Sequence, residues 1–169
     1  IDTEGRPVPR GQIGEVASRG NNVMLEYYNE PEQTAAFWRN GWAVTGDLAV
    51  MDEDGFITLV DRAKDMIISG GENVYPKEIE NAIYELDAVA ECAVFGIPDD
   101  KWGEIPIACV LLKSAASLTE EEIVDHCARR LARFKRPRQV KFVESFPKTP
   151  IGKIQKNLLR DKYWQGKEK

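Results

Sequence analysis

Apolar and polar residues alternate in short runs over the first part of the chain, which is the pattern of half-buried β-strands. Four runs are present: residues 14–19, 22–28, 47–51 and 56–61. Gly55 can close the turn between the last two runs, and Pro31 opens a short helical stretch that ends at Phe37. We therefore expect a β-rich segment with one short helix and too few strands to enclose a core of its own.

After Lys64 the pattern changes to an alternation of strands and amphipathic helices. Apolar residues with helical spacing predict a helix over residues 77–86, begun by Pro76. The capping box Thr119–Glu122 opens a second helix, which we expect to end near Arg133. A third helix is predicted over residues 157–164, and strands over residues 66–69, 89–96, 105–113 and 139–144. The sequence thus predicts an α+β fold, a small mixed β-sheet with helices packed on one face.

Composition and charge limit the classes of function. The 169 residues contain no apolar run of about 18 residues, so we expect no transmembrane segment. The three cysteines fit no disulfide or metal-binding spacing, which favours a cytoplasmic protein without a metal site. Residues 129–169 carry 14 Lys and Arg against 3 Asp and Glu, whereas residues 1–128 carry 9 against 25. A basic C-terminal segment favours binding of a polyanion. Because no nucleic-acid motif accompanies it, we expect it to bind the phosphates of a nucleotide such as ATP or CoA rather than nucleic acid.

Three side chains in predicted loops are candidates for binding a nucleotide. Asp47 follows Thr45-Gly46 at a predicted strand exit, where its carboxylate can accept both hydroxyls of a ribose. Arg62 has a planar guanidinium that suits a ribose or phosphate oxygen. Lys153 follows Gly152 in a loop and can extend a compact charge into a cleft. Taken singly, each also has an ordinary explanation as a turn cap, a surface ion pair or a solvated lysine.

Three motifs, in this order along the chain, resemble those of the adenylate-forming enzymes, which include acyl- and aryl-CoA synthetases. They are Thr45-Gly46-Asp47, residues 61–76 (DRAKDMIISGGENVYP) and residues 147–153 (PKTPIGK). The resemblance implies that residues 1–63 are the β-rich edge of a large N-terminal domain and residues 64–169 a mobile C-terminal domain, with the hinge at Lys64. The family's phosphate loop is not among these residues, so we expect this fragment to be inactive alone and to bind no cofactor tightly.

The resemblance also assigns roles to residues. Asp47 and Arg62 would hold the ribose of ATP, and Lys153 would bridge the substrate carboxylate and the α-phosphate. The residues that would line the path of CoA are Gly70, Gly71, Trp102, Phe134, Lys135 and Arg136. The reaction implied is the formation of an acyl-adenylate from a carboxylic acid and ATP with Mg²⁺, followed by rotation of the domain and thioester formation with CoA.

The motifs leave alternatives open. The run Phe134-Lys135-Arg136-Pro137 favours CoA over a carrier protein as the acceptor, because adenylation domains of peptide synthetases typically have a different run there. A luciferase-like relative shares the motifs. A non-catalytic polyanion-binding module would explain the basic tail, but it would not need Asp47, Arg62 and Lys153 together. The motifs do not identify the carboxylic acid that is activated; fatty acid metabolism is one process in which such a ligase acts. Expected partners are ATP or AMP, the acid, CoA and the N-terminal domain, with self-association through exposed apolar side chains.

Overall fold

The computed structural model describes residues 1–165 and divides the chain into two compact units. The first unit is Ile1–Lys64, and the second begins at Asp65. This division falls within two residues of the boundary expected from the sequence. The assignment of the units to an N-terminal and a mobile C-terminal domain stays a prediction.

The first unit is a four-stranded antiparallel sheet built around one long central strand. Its elements are β1 (Ile13–Ser18), α1 (Pro31–Phe37), β2 (Trp38–Arg39), β3 (Trp42–Met51) and β4 (Ile57–Arg62). β1 pairs with one side of β3, whereas β2 and β4 pair with the other side. Ala43 and Ala49 are the buried apolar side chains among residues 1–64. The unit therefore has very little core of its own.

Two predictions for the first unit are wrong. Residues 22–28 form no strand, because side chains take the place of a strand partner: the Tyr27 amide donates to Thr34 Oγ1 at 2.9 Å, and the Trp38 indole donates to the Leu25 carbonyl at 3.2 Å. β3 begins at Trp42 rather than at residue 47. The turn before it is Asn40-Gly41, with both residues at positive φ, 48° and 77°. An Asn-Gly pair is a strong hairpin signal that our sequence analysis overlooked.

The second unit is a five-stranded mixed sheet with three helices. Its strands are β5 (Ile67–Ser69), β6 (Glu72–Val74), β7 (Val89–Asp99), β8 (Gly103–Leu112) and β9 (Gln139–Phe142), and its helices are α2 (Pro76–Tyr84), α3 (Glu120–Ala128) and α4 (Lys156–Trp164). The strand order is β6-β5-β8-β7, and β9 pairs with β8 in parallel. The predicted α+β class, with helices packed on a small mixed sheet, is confirmed.

Helices cover both faces of this sheet, whereas we expected them on one. On one face, Ile79 and Ile83 of α2 and Ile123 of α3 belong to the same core as Val94 of β7. On the other face, Phe95 lies in a second core together with Ile107 and Phe146, against which Leu159 of α4 packs. Burial on both faces explains why β7 and β8 are almost continuously apolar rather than alternating.

Two boundaries in the second unit differ from the prediction. β7 and β8 extend through most of the connection expected at residues 98–104, so that only residues 100–102 form the turn. The capping box of α3 is confirmed: Thr119 Oγ1 accepts from the Glu122 amide and Glu122 Oε2 accepts from the Thr119 amide. That helix nevertheless ends at Ala128, because the chain turns to insert Leu131 into the core.

Candidate functional site

Asp47 and Arg62 face each other across the β3–β4 hairpin of the first unit. They are directly paired in the strand register, and Arg62 Nε donates to Asp47 Oδ1 at 3.0 Å. Their side chains are 33% and 52% exposed, so both polar groups are accessible. Asp47 lies inside β3 and not at the strand exit expected from the sequence. The structure thus brings two of the predicted nucleotide-binding residues together on one hairpin.

A bulge in β3 sets the direction of Asp47. The residues opposite Glu15 and Ala17 are Leu48 and Val44, so β3 has extra residues at this point. Gly46 lies within the bulge at φ 77°, and the Asp47 amide donates to Thr45 Oγ1 at 3.1 Å. Bulges commonly redirect a side chain next to a binding site.

Glu15 and Arg39 hold this bulge, and sequence reasoning missed both. Glu15 Oε1 accepts from the Gly46 amide at 3.0 Å, and Glu15 Oε2 pairs with the Arg39 guanidinium. The Glu15 side chain is only 10% exposed. In the structure, this burial indicates that the carboxylate has a partner inside the protein. The sequence shows neither the burial of Glu15 nor that its partner is the bulge beside Asp47.

Gly70 and Trp102 are in contact in the second unit. Gly70 and Gly71 form the β5–β6 turn at φ 62° and 86°. The Gly70 amide donates to the Trp102 carbonyl at 2.8 Å, and a Cβ on Gly70 would lie only 2.7 Å from Trp102 Cε3. The indole ring therefore packs directly on a backbone without a side chain. Two predicted CoA-binding segments, more than thirty residues apart in sequence, lie side by side.

Two cationic side chains that the sequence analysis did not select lie over the Trp102 ring. Lys101 Nζ is 4.9 Å and Arg138 Cζ is 5.8 Å from its centroid. At these distances a cation is attracted by the ring electrons. Trp102 remains partly exposed, so a flat aromatic surface with adjacent positive charge faces solvent.

The other predicted CoA-binding residues are partly committed to contacts within the protein. Lys135 Nζ donates to both carboxylate oxygens of Glu78, at 2.9 and 2.8 Å. Arg136 Nε donates to the Leu131 carbonyl at 3.1 Å, which helps to hold the turn after α3. Phe134 is exposed, with Lys135 Nζ 5.8 Å from its ring centroid. These contacts show a structural role for Lys135 and Arg136 and leave Phe134 available to a ligand.

Lys153 lies in a tight loop, residues 147–155, which we call the Lys153 loop. Lys148 and Ile154 form a β-bridge across it, and the Thr149 amide donates to the Lys153 carbonyl at 2.8 Å. The Lys153 amide donates back to Thr149 Oγ1 at 3.1 Å, and Gly152 has φ 82°. The Lys153 side chain itself is exposed. A braced loop thus presents a solvent-facing ammonium group.

The remaining nucleophilic and titratable candidates are structural. All three cysteines are buried, and burial raises the pKa of Cys127 to about 11 and raises the pKa of Cys109 as well. His126 is buried with Nε2 2.9 Å from the Ala82 carbonyl, a contact that ties α3 to α2. Within residues 1–165, no three His, Cys, Asp or Glu side chains are grouped so that they could hold a metal ion. The helices of this described part are too short or too polar to cross a bilayer.

A groove of about 430 Å³ in the first unit contains none of the predicted site residues. Val8, Val16, Ala49, Met51 and Ile57 contribute to its apolar lining. Two of these lining residues, Met51 and Ile57, are exposed to solvent.

Comparison with known proteins decides the family. Residues 78–153 match the family model of the AMP-binding enzyme C-terminal domain, a range that includes Trp102, Phe134 and Lys153. An (octahydroindenyl)propanoyl:CoA ligase of Rhodococcus jostii strain RHA1 is 48% identical over an aligned length of 165 residues, and the match covers 94% of this chain and 32% of the ligase. Residues 78–153 belong to this family, and the chain is similar to the C-terminal part of adenylate-forming enzymes.

Solved structures of adenylate-forming enzymes share the fold. ATP-bound MatB from Rhodopseudomonas palustris matches with a TM-score of 0.86 and 41% identity, over 92% of this chain and 31% of MatB. The o-succinylbenzoate CoA synthetase MenE from Bacillus subtilis, in complex with its acyl-adenylate intermediate, matches with a TM-score of 0.86 and 38% identity, over 95% of this chain and 33% of MenE. The chain spans about a third of the length of the relatives that it matches.

Proposed function

We propose that the chain is the C-terminal part of an ATP-dependent carboxylic acid:CoA ligase, an AMP-forming acid–thiol ligase of the cytoplasm. The observation that carries the proposal is the braced loop that presents Lys153 to solvent. A lysine held in this way can enter the active site of another domain and still keep its direction. The ligase names of its relatives support the same reading.

In the first half-reaction, a carboxylate oxygen of the acid attacks the α-phosphorus of ATP. A new P–O bond forms, and the bond to the leaving pyrophosphate breaks. Both reactants are anions, so a positive charge at the point of attack stabilises the transition state. Lys153 supplies that charge. Asp47 accepts from the ribose hydroxyls and Arg62 donates to a ribose oxygen, while Mg²⁺ enters with the ATP phosphates as part of the substrate.

In the second half-reaction, the thiol sulfur of CoA attacks the acyl carbon and AMP leaves. The Gly70 backbone and the Trp102 ring would form the wall along which the thin pantetheine arm passes. Phe134, Lys101 and Arg138 would face the nucleotide end of CoA with an aromatic surface and positive charge. A rotation about Lys64 would exchange the Lys153 loop for this wall between the two steps.

Substitution of Lys153 in the intact ligase tests the proposal. We expect Lys153→Ala to lower acid-dependent exchange between ATP and pyrophosphate by about 100- to 1000-fold, because one transition-state charge contact is lost. Thioester formation from a supplied acyl-adenylate should persist.

Two controls accompany this test. Lys162→Ala removes another exposed lysine, on α4, and should leave both half-reactions unchanged. The 169-residue chain alone should show no exchange, because it has no phosphate loop. If Lys153→Ala lowered the rates of both half-reactions equally, the proposed exchange of the Lys153 loop for the wall formed by Gly70 and Trp102 between the two steps would be contradicted.

A further inference from the structure

Two ion pairs flank the Lys153 loop, and the motifs assign neither of them a function. Lys148 lies near the start of the loop, with its Nζ 2.6 Å from Glu91 Oε1 on β7. Lys156 follows the loop as the first residue of α4, with its Nζ 2.6 Å from Glu80 Oε1 on α2. Both ends of the loop are thus tied by lysine–glutamate contacts to other elements of the second unit.

The pair of Lys156 and Glu80 is the better buried of the two. The Glu80 side chain is 7% exposed and that of Lys156 22%, against 29% and 39% for Glu91 and Lys148. Charges removed from water interact more strongly, and removing one partner leaves the other uncompensated. Glu80 Oε1 also accepts from the Val94 amide at 2.9 Å, so the carboxylate is fixed to β7. Lys156 therefore pairs with an anion whose position is fixed.

A lysine is electrostatically unfavourable at the position of Lys156. The first turn of a helix carries the positive end of the helix dipole, which repels a cation. No acidic residue in the first turn of α4 compensates for it. Helix stability gives no reason for Lys156 at this position, whereas its contact with Glu80 does.

The far end of α4 is also fixed to the sheet. The Trp164 indole donates to the Gly96 carbonyl at 3.0 Å, and the Tyr163 ring lies 5.9 Å from the Phe95 ring, centroid to centroid. With Lys156 bound to Glu80, α4 is held at both ends. The C-terminal end of the Lys153 loop is therefore attached to a helix that cannot easily shift along β7.

We propose that Lys156 and Glu80 are positioning residues for the adenylation step and hold the Lys153 loop without touching substrate. The proposal rests on the function proposed above. A misplacement of about 1 Å can lower the rate of a reaction by about 100-fold even when the altered residue is remote. Loss of the pair should therefore reduce kcat of adenylation, while the residues that bind ATP through its ribose are untouched.

The test compares three variants of the intact ligase. Lys156→Met keeps the length of the side chain without its charge, and Glu80→Gln keeps an acceptor for the Val94 amide without the negative charge. We expect each to lower kcat for acid-dependent exchange between ATP and pyrophosphate by about 10- to 100-fold, with KM for ATP within about twofold of the wild type. The third variant, Lys156→Arg, keeps the charge and should retain most of the activity.

Further measurements separate positioning from folding. Thioester formation from a supplied acyl-adenylate should proceed at the wild-type rate in all three variants, which shows that the domain is folded. In the double variant Glu80→Gln/Lys156→Met, kcat for the exchange reaction should be no lower than in the less active single variant, because both changes remove the same interaction. Lys162→Met is the matched control on the same helix and should match the wild type. Wild-type kcat in Lys156→Met, or an equal loss in both half-reactions, would overturn the proposal.

Hydrogen exchange separates this inference from the proposed function. In the 169-residue chain, Lys156→Met should speed the exchange of the Thr149 and Gly152 amides, which are hydrogen-bonded within the loop, relative to wild type and Lys162→Met. An inactive wild-type ligase would refute the proposed function, and the exchange rates would still decide whether the pair holds the loop. Unchanged exchange in Lys156→Met would refute the positioning role even in an active ligase.

Discussion

At the scale of single residues, the contact between Gly70 and Trp102 is the clearest case in which the absence of one atom, the Cβ of Gly70, decides the local structure. Gly70 combines a positive φ of 62° with an indole ring 2.7 Å from where its Cβ would be. Gly71 has a similar φ of 86°, but no atom lies within 4 Å of its virtual Cβ. Replacing each glycine by alanine therefore separates the cost of a positive φ, which both positions share, from the cost of the clash with Trp102, which occurs only at Gly70.

We expect Gly71→Ala to lower the free energy of unfolding by about 1 kcal/mol, the cost of a left-handed alanine. Gly70→Ala should lower it by about 2–4 kcal/mol, because the methyl group must also displace the indole ring. Urea denaturation of the second unit measures both. Trp102→Ala should remove most of the difference between the two variants. Equal losses in the two alanine variants would show that the ring moves aside at no cost.

At the scale of elements, the sequence predicted those with a strong local signal. Pro76 and the Thr119 capping box mark the starts of α2 and α3 because each acts within one helical turn. The end of α3 at Ala128 depends on burying Leu131, which is a tertiary contact. In the same way, the motif identified Asp47, but no local pattern showed that Glu15 and Arg39 hold the bulge that carries it.

The bulge in β3 should loosen when Glu15 is truncated. Glu15→Ala removes the acceptor of the Gly46 amide, and we expect that amide to exchange about tenfold faster or more, consistent with a hydrogen bond worth about 1.5 kcal/mol. Glu15→Gln keeps a side-chain carbonyl and should preserve most of the protection. Glu53→Ala, in an exposed turn of the same unit, serves as the control. Unchanged exchange at Gly46 in Glu15→Ala would show that the strand pairing alone sustains the bulge.

At the scale of the whole molecule, part of the charge asymmetry of the sequence is neutralised by ion pairs within the second unit. Four basic residues of the C-terminal segment pair with four glutamates of residues 78–91: Lys135 with Glu78, Lys156 with Glu80, Arg130 with Glu85 and Lys148 with Glu91. The linear sequence suggested a polyanionic partner because it cannot show which charges meet after folding. The side chains still offered to such a partner include Lys153 and, around Trp102, Lys101 and Arg138.

The two units also differ in how much of their apolar surface is covered. The second unit has a core on each face of its sheet, whereas residues 1–64 bury few side chains. On β4, Ile57 is 51% and Leu59 65% exposed, and their register partners Met51 and Ala49 place all four on one face. An apolar sheet face of this kind ordinarily packs against another surface. The first unit should therefore be the less stable of the two when the chain is studied by itself.

Limited proteolysis tests this difference and the boundary at Lys64 together. With brief trypsin treatment, we expect early cleavage at or before Lys64, with Arg62 and Lys64 as the nearest sites, and a persistent fragment that begins at residue 63 or 65. Cleavage requires local opening, which is less costly in a unit with few buried side chains than in one with two cores. Mass spectrometry of the fragments over time identifies the sites.

Exposed basic residues within the second unit, such as Lys153 and Lys162, serve as internal controls because trypsin can cut after them as well. If cleavage there were as early as at Lys64, or if residues 1–64 resisted as long as the rest, the two units would be equally stable and the border at Lys64 would have no support.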